Sequence, residues 1–230
     1  ELTSSQKTLY LAQLRRMQEM LAGASADEIK HHKIEILAGL TRLRQICNTP
    51  ALFLEDYTGD SGKMDSLFEL LDTIRKKESR PLIFSQFTSM LDLIEQELEK
   101  KGLSHFKITG QTPSDKRQEM VNLFNQGEKD CFLISLKAGG TGLNLTGADT
   151  VILCDLWWNP AVEMQAIGRS HRLGQTKQVD VYRLITLGTI EEKIQELQES
   201  KKELFNTVLE GQESRSNLSV DDIKEILGVE

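Results

Sequence analysis

The sequence contains few residues that cross-link or interrupt a chain, with three cysteines and four prolines among 230 residues. Cys47, Cys131 and Cys154 are isolated and form no Cys-x-x-Cys pair, which argues against a disulfide framework and against a cysteine zinc site. No run of about 18 apolar residues occurs and the first residues lack a signal-peptide layout, so we expect neither a membrane span nor secretion. We therefore expect an intracellular protein with reduced thiols, of which Cys131 and Cys154 pack in a core.

Over most of the chain, acidic and basic residues nearly balance, so there is little excess of either charge. The net charge is −7, but residues 191–230 hold 11 acidic and 5 basic residues, a net of −6. Residues 1–190 therefore carry only −1. A balanced body does not exclude contact with nucleic acid, because local patches rather than the total charge determine what a surface binds.

The apolar pattern divides the chain into three parts. Residues 1–58 predict two amphipathic helices around the breaker Gly23-Ala24-Ser25, the second carrying an apolar series from Ile34 to Ile46. Residues 59–190 alternate between strands and helices. Residues 191–230 predict a charged amphipathic helix, a Gly- and Ser-containing gap, and a short helix that begins at Ser219, with Asp222 in a capping box, and stops at Gly228.

The middle part predicts an α/β fold, a mainly parallel sheet flanked by helices on both faces. Its strands are continuous apolar and β-branched runs at residues 81–84, 105–109, 131–136, 150–154 and 179–185. In open parallel sheets, ligands bind at the loops that follow the carboxyl ends of the strands. The polar segments 85–88, 110–112, 137–144 and 155–159 all follow a predicted strand, so we expect the site there.

The loop at residues 137–144 is suited to an oxyanion. Gly139, Gly140 and Gly142 allow backbone N–H groups to converge, and Thr141 adds a hydroxyl. The loop is not a P-loop, because no Gly-Lys-Ser/Thr closes it, and Leu145 stands where a dinucleotide fingerprint needs its third glycine. A tight strand-to-helix turn without a ligand explains the glycines equally well.

No other segment supplies a cradle for a nucleotide. When the P-loop pattern is aligned on Gly62-Lys63, Tyr57 stands at the position of the first glycine and Met64 at the position of the required Ser or Thr. Asp155 ends an apolar strand, as the magnesium-binding acid of nucleotide hydrolases does, but without the cradle we interpret it as structural. We therefore expect that the chain alone does not hydrolyse a nucleotide.

A helix predicted to begin at Asn159-Pro160 carries Gln165, Arg169 and Arg172 at i, i+4 and i+7. These spacings place the three side chains on one stripe, with Met164 and Ile167 on roughly the opposite side. Guanidinium groups present paired planar donors that suit a polyphosphate, although a solvated helix face is the simpler reading of two arginines alone. Upstream, one of Trp157 and Trp158 can enter the core and leave the other for a partner such as a sugar or base, although core packing explains the pair equally well.

Together these segments resemble the second RecA-like lobe of Swi/Snf-type ATPases, the DNA-translocase branch of helicase superfamily two. The resemblance covers about residues 40–195 and is carried by the following segments: Arg44-Gln45-Ile46-Cys47-Asn48-Thr49-Pro50, Ser61-Gly62-Lys63, residues 82–88, residues 137–144, Trp158-Asn159-Pro160, and Gln165-Ala166-Ile167-Gly168-Arg169-Ser170-His171-Arg172-Leu173-Gly174-Gln175. It also explains the missing P-loop, which in this family belongs to the first lobe, where ATP and Mg²⁺ are mainly bound.

By this resemblance, Arg169 and Arg172 are arginine fingers for ATP held on the first lobe, and Gln165 senses the same phosphate. Gly140, Gly142 and Asn144 would lie between the nucleotide and the DNA. The residues implied to contact the DNA backbone are Ser85, Gln86, Gly110, Thr112, Arg117, Lys137, Thr141 and Trp158.

The implied partners are the first lobe of the same protein and double-stranded DNA, with no membrane and no stable homo-oligomer. The compartment would be the cytoplasm or nucleoid of a prokaryote, or the nucleus of a eukaryote. Two alternatives remain at this stage, a lobe of an RNA- or DNA-unwinding helicase and a non-catalytic phosphate-binding module.

Overall fold

Five short strands form one sheet in which every pairing is parallel, as the sequence predicts. The strands are β1 (Pro81–Ser85), β2 (His105–Ile108), β3 (Cys131–Ser135), β4 (Thr150–Leu153) and β5 (Asp180–Arg183). Their order across the sheet is β2-β3-β1-β4-β5, so β1 lies in the centre and pairs with β3 and β4. Every residue of β1, β3 and β4 is buried, whereas β5 is an exposed edge.

Ten helices and one short 3₁₀ helix are found in the part of the chain that the structure describes. They are α1 (Ser4–Leu21), α2 (Ala26–His31), α3 (Lys33–Asn48), the 3₁₀ helix Pro50–Leu52, α4 (Gly62–Lys76), α5 (Thr88–Lys100), α6 (Ser114–Asn125), α7 (Leu136–Gly139), α8 (Pro160–Ile167), α9 (Ile190–Val208) and α10 (Val220–Leu227). The capping box of Ser219 and Asp222 and the stop at Gly228 are present as predicted for α10. Among the described residues, no helix is both long and apolar enough to cross a membrane.

The structure is a computed structural model that describes residues 1–139, 142–156, 160–169, 178–208 and 219–229, with only the backbone described at 26, 139, 160–162 and 201–208. Contacts divide the chain into two units. The first contains Glu1–Lys63 together with Ile185–Glu230, and the second is Met64–Leu184. The three-part division drawn from the sequence stays a prediction.

The second unit is built around the sheet. Apolar side chains of the central strands, such as Phe132 of β3, pack with Phe124 of α6 and with Leu145 of the segment after α7. Phe124 and Phe132 meet at 5.3 Å between ring centroids. The free thiols of Cys131 and Cys154 are buried in this unit, as predicted.

The first unit packs α1 against α3. The predicted apolar series is wrong at its first member, because Ile34 lies 86% exposed. The buried face of α3 instead contains Ile36, Leu40, Leu43 and Cys47. At Gly39 a Cβ atom would lie 2.0 Å from the Met17 sulfur, so a larger residue there would displace the Met17 side chain that packs between α1 and α3.

Candidate nucleotide and nucleic-acid site

The carboxyl ends of all five strands lie at one edge of the sheet, because every strand runs in the same direction. Gln86 follows β1, Gly110 and Thr112 follow β2, and Lys137 follows β3. The structure therefore brings these predicted DNA-contact residues to a single edge. Trp158 follows β4 in the sequence and lies outside the described residues.

The loop after β1 is held by a carboxylate from the loop after β4. Asp155 accepts the hydroxyl of Ser85 through Oδ2 and the N–H of Gln86 through Oδ1, the latter at 3.0 Å. Ser85 is 0% exposed, and its Oγ also accepts the N–H of Phe87 at 3.1 Å. The Ser85 hydroxyl thus serves the loop itself and is turned away from solvent, while the neighbouring Gln86 is half-buried. The interpretation of Asp155 as structural agrees with these bonds.

The loop after β2 is folded around Arg117. The Arg117 guanidinium donates to the carbonyl oxygens of Thr112 at 2.6 Å, Gly110 at 3.1 Å and Thr109 at 3.2 Å. The Thr112 hydroxyl accepts the N–H of Thr109 at 3.0 Å. In this conformation Arg117 shapes the exposed Gly110 turn, so its predicted contact with a DNA phosphate would compete with three internal acceptors.

Lys137 lies in the helical turn α7, which starts directly after β3. The sequence predicts a strand through Leu136 and a loop from residue 137, and both are wrong for residues 136–139, which are helical. The Ser135 hydroxyl accepts the N–H of Ala138 at 3.3 Å and helps to start the turn. The Lys137 side chain is exposed. Gly142 follows with a φ of +70°, a left-handed conformation that favours glycine. Gly140 and Thr141 lie outside the described residues.

The segment after Gly142 is bonded to residues 165–175, which we call the arginine segment because they contain Arg169 and Arg172. The N–H of Leu145 donates to the carbonyl oxygen of Arg169 at 2.9 Å. The Asn125 side chain clamps the same segment, donating to the carbonyl of Asn144 and accepting the N–H of Gly147, both at 2.8 Å. The Asn144 side chain itself is exposed. Leu145, directly after the predicted phosphate-binding loop, is thus joined to Arg169 by a backbone hydrogen bond.

The predicted helical stripe does not extend to Arg169. Helix α8 begins at Pro160 as predicted but ends at Ile167, so Arg169 lies beyond it, 5% exposed, while Gln165 is exposed. Met164, predicted on the side opposite the stripe, is 62% exposed. The prediction of one helical face through Gln165 and Arg169 is therefore wrong, because the helix stops before its next turn. Arg172, His171, Trp157 and Asn159 lie outside the described residues.

Sequence reasoning missed a buried polar cluster in the first unit, formed by Asn48, Lys63 and Glu191. The Lys63 Nζ lies 2.7 Å from both carboxylate oxygens of Glu191 and 2.9 Å from Oδ1 of Asn48. Glu191 also accepts the N–H of Thr186 at 2.8 Å, and Ser61 donates to the carbonyl of Asn48. The segments at 44–50 and 61–63 that carry the family resemblance thus meet here. Glu191 is 128 residues from Lys63, so no local pattern indicates the pair.

A cavity of about 360 Å³ opens at the opposite, amino-terminal edge of the sheet, between α4, α5 and the start of β3. Its lining includes Ile74, Arg75, Leu98 and Cys131. Burial raises the pKa of the Cys131 thiol to about 12, so this thiol is protonated at neutral pH. The cavity contains none of the predicted site residues, and we do not assign the nucleotide to it.

Comparison with known proteins follows the same segments. The family model described as "Helicase conserved C-terminal domain" matches residues 62–174. SWI/SNF-related matrix-associated actin-dependent regulator of chromatin subfamily A member 1 of Mus musculus is 43% identical over 79% of this chain and 18% of its own length. YwqA of Bacillus subtilis, named as a candidate ATP-dependent helicase/translocase, is 41% identical over 84% of this chain and 22% of its own length. The chain thus spans about a fifth of these curated relatives.

Two solved structures of a Sulfolobus solfataricus SWI2/SNF2 ATPase resemble the whole chain. Its C-terminal domain matches with a TM-score of 0.77 and 30% identity, over 100% of this chain and 95% of that one. Its ATPase core in complex with double-stranded DNA matches with a TM-score of 0.79 and 30% identity, over 100% of this chain and 49% of that one. The sequence, the sheet and these similarities agree, and the chain belongs to the SWI2/SNF2 family of helicase superfamily two as its C-terminal, RecA-like lobe.

Proposed function

We propose that this lobe completes the ATPase of a double-stranded-DNA translocase, acting with the first RecA-like lobe of the same protein. The first lobe would hold ATP and Mg²⁺, and this lobe would supply positive charge and a track for the DNA backbone. Its relatives support the ATPase, since they include a SWI2/SNF2 ATPase core solved with double-stranded DNA. We expect an intracellular protein without a stable homo-oligomer.

The observation that carries the proposal is the bond between Leu145 and Arg169. Leu145 belongs to the segment that continues from Lys137 and Gly142, while Arg169 belongs to the arginine segment, which also contains Arg172. Helix α8, which leads into the arginine segment, also packs against α7, which carries Lys137. A change at the nucleotide would therefore reach the DNA-facing edge through a few directly bonded residues.

The burial of Arg169 favours different roles for the two arginines. A finger must place its guanidinium beside the γ-phosphate of a nucleotide held elsewhere, and a side chain that is 5% exposed does not project in that way. We infer that Arg172 is the principal finger and that Arg169 acts on phosphate only after rearrangement. Gln165, exposed on α8, would act as the phosphate sensor.

DNA contact through phosphates suits movement along any sequence. The edge formed by Gln86, Gly110, Thr112 and Lys137 offers an exposed glycine, polar side chains and the exposed cation of Lys137. Contacts of this kind position a protein on the duplex without reading bases. We include Ser85, Thr141, Arg117 and Trp158 in the same proposed surface, with Ser85 and Arg117 acting mainly through the loops that they shape.

The test is Arg172→Ala in the full-length enzyme. Arginine fingers contribute about 10³–10⁵-fold to the rate of phosphoryl transfer, so ATP turnover should fall by about 10³-fold or more while ATP affinity changes little. Turnover is measured by phosphate release and affinity by a fluorescent ATP analogue. Near-normal turnover would remove the finger assignment.

A strand-displacement assay separates translocation from unwinding, since a translocase of this type should not release the displaced strand.

A further inference from the structure

We propose that Asp155 is a positioning residue for the DNA-facing edge, because it fixes the loop after β1 to the end of β4. The proposal rests on the function proposed above. It assigns to Asp155 the orientation of Gln86. Asp155 itself is not expected to touch the DNA.

Backbone pairing between β1 and β4 ends one residue before Asp155. The last ladder bond between β1 and β4 is donated by the N–H of Cys154 to the carbonyl of Phe84, at 2.9 Å. One residue further, the side chain of Asp155 replaces the backbone as acceptor and takes the N–H of Gln86. The carboxylate thus extends the pairing beyond the two strands.

Ser85 and Phe87, the neighbours of Gln86, are held by the same set of hydrogen bonds. The Ser85 hydroxyl donates to Asp155, and its oxygen accepts from the N–H of Phe87. Helix α5 begins at Thr88, so the connection contains only Gln86 and Phe87, and both N–H groups are fixed. With Asp155 1% exposed and Ser85 0% exposed, water cannot readily replace these bonds. The backbone of Gln86 is therefore held in one position before any DNA arrives.

A second aspartate makes a comparable bond at the other end of the same strands. Asp149, at the amino-terminal end of β4, accepts the N–H of Arg80 at 2.8 Å, just before β1 begins. Asp149 and Asp155 thus make the same kind of bridge between the same two strands, at opposite edges. If such a bridge only held the strands in register, the two would be equivalent. Only Asp155 anchors a loop that carries proposed DNA contacts.

The experiment uses the full-length enzyme with Asp155→Ala and the matched control Asp149→Ala. The half-saturating concentration of double-stranded DNA for ATP hydrolysis should rise about tenfold in Asp155→Ala. The rate of ATP hydrolysis at saturating DNA should fall by a smaller factor. In Asp149→Ala it should stay within twofold of wild type. Hydrogen–deuterium exchange should show lost protection around Gln86 and Phe87 in Asp155→Ala, and around Arg80 in Asp149→Ala.

Two further variants keep the test decisive if Asp155→Ala folds poorly. Asp155→Asn retains an oxygen for the Gln86 N–H and an amide that can donate to Ser85, so it should restore most of the DNA response. Ser85→Ala removes the hydroxyl but leaves the bond to Gln86, and it should give an intermediate value.

Equal half-saturating DNA concentrations for Asp155→Ala and Asp149→Ala would overturn the positioning role alone, as would an Asp155→Asn protein no better than a destabilised Asp155→Ala. A wild-type enzyme whose ATP hydrolysis does not respond to DNA would instead overturn the proposed function itself, and this inference with it.

Discussion

At the residue scale, the pair of Lys63 and Glu191 places two opposite charges in the interior of the first unit. Their side chains are 2% and 0% exposed. Removing charges from water is costly, so the pair persists because Asn48 and the Thr186 N–H satisfy further donors and acceptors around it. The chain passes from the first unit to the second after Lys63 and returns at Ile185. The ion pair thus joins two segments of the first unit, the one that ends at Lys63 and the one that begins at Ile185.

Glu191→Leu should therefore destabilise the protein strongly, because it leaves the ammonium of Lys63 buried with Asn48 as its remaining hydrogen-bond acceptor among those described above. Breaking a buried pair on one side costs about 3–5 kcal/mol. The double variant Lys63→Met with Glu191→Leu should recover part of this loss. Chemical denaturation measures the free energies, with Lys193→Met, in an exposed pair with Glu196, as the control that should change little. A double variant as unstable as the single one would contradict this account.

At the element scale, α5 and the edge strand β2 are joined by a cluster of charged side chains. Lys107 on β2 bonds both Asp92 and Glu95 on α5, and His105 lies 3.2 Å from Glu95. Partial burial alone would raise the pKa of Glu95, but the hydrogen bonds from Lys107 and His105 outweigh it and lower the pKa below its ordinary value. Ionised Glu95 is thus better stabilised in the folded protein than in the unfolded chain.

This sign fixes the direction of a pH effect. The stabilisation by Glu95 is complete above its ordinary pKa of 4.5 and is lost as the pH falls through the lowered value. Glu95→Gln should therefore be less stable than wild type at pH 7, and the difference should shrink toward pH 3. Thermal midpoints measured across this range check it. The control is Glu99→Gln, one turn along α5 at an exposed position, and the same pH trend in both variants would contradict the assignment.

At the scale of the whole molecule, the sequence offers side chains suited to phosphates but contains no P-loop motif that would hold a nucleotide. Gly62-Lys63 cannot serve, since Met64 replaces the hydroxyl residue and Lys63 is engaged with Glu191 inside the first unit. Catalysis of phosphoryl transfer depends on positioning and charge stabilisation around a bound nucleotide and its metal. A lobe that supplies charge without that cradle has nothing to act on.

The isolated 230-residue chain should therefore release no phosphate from ATP above the buffer rate, with or without double-stranded DNA. Adding the first lobe, in trans or by using the full-length enzyme, should restore hydrolysis. Phosphate release at matched protein concentrations measures both, and the Arg172→Ala full-length protein serves as the inactive reference. Hydrolysis by the chain alone, retained after repeated purification, would contradict the two-lobe account.

Local patterns in the sequence determined the class of fold and the identity of the family. Apolar runs of strand length that alternate with amphipathic helices are typical of a parallel sheet covered by helices on both faces. This pattern predicted the five parallel strands. The capping box at Ser219 and Asp222 was readable because its hydrogen bonds span only three residues. The segment from Gln165 to Gln175 was readable as a family signature even though most of it lies outside the described residues.

Tertiary structure alone decided how these elements meet. The strand order β2-β3-β1-β4-β5, the bonds between Asp155 and Ser85 across 70 residues and the pair of Lys63 and Glu191 across 128 residues have no local pattern. The same holds for the burial of Arg169, which depends on where α8 ends and on the bond that Leu145 makes to it. Sequence periodicity reports contacts within a few residues, whereas these contacts form only when distant segments are packed together. The sequence thus determined what kind of lobe this is, and packing decided which of its polar side chains face outward.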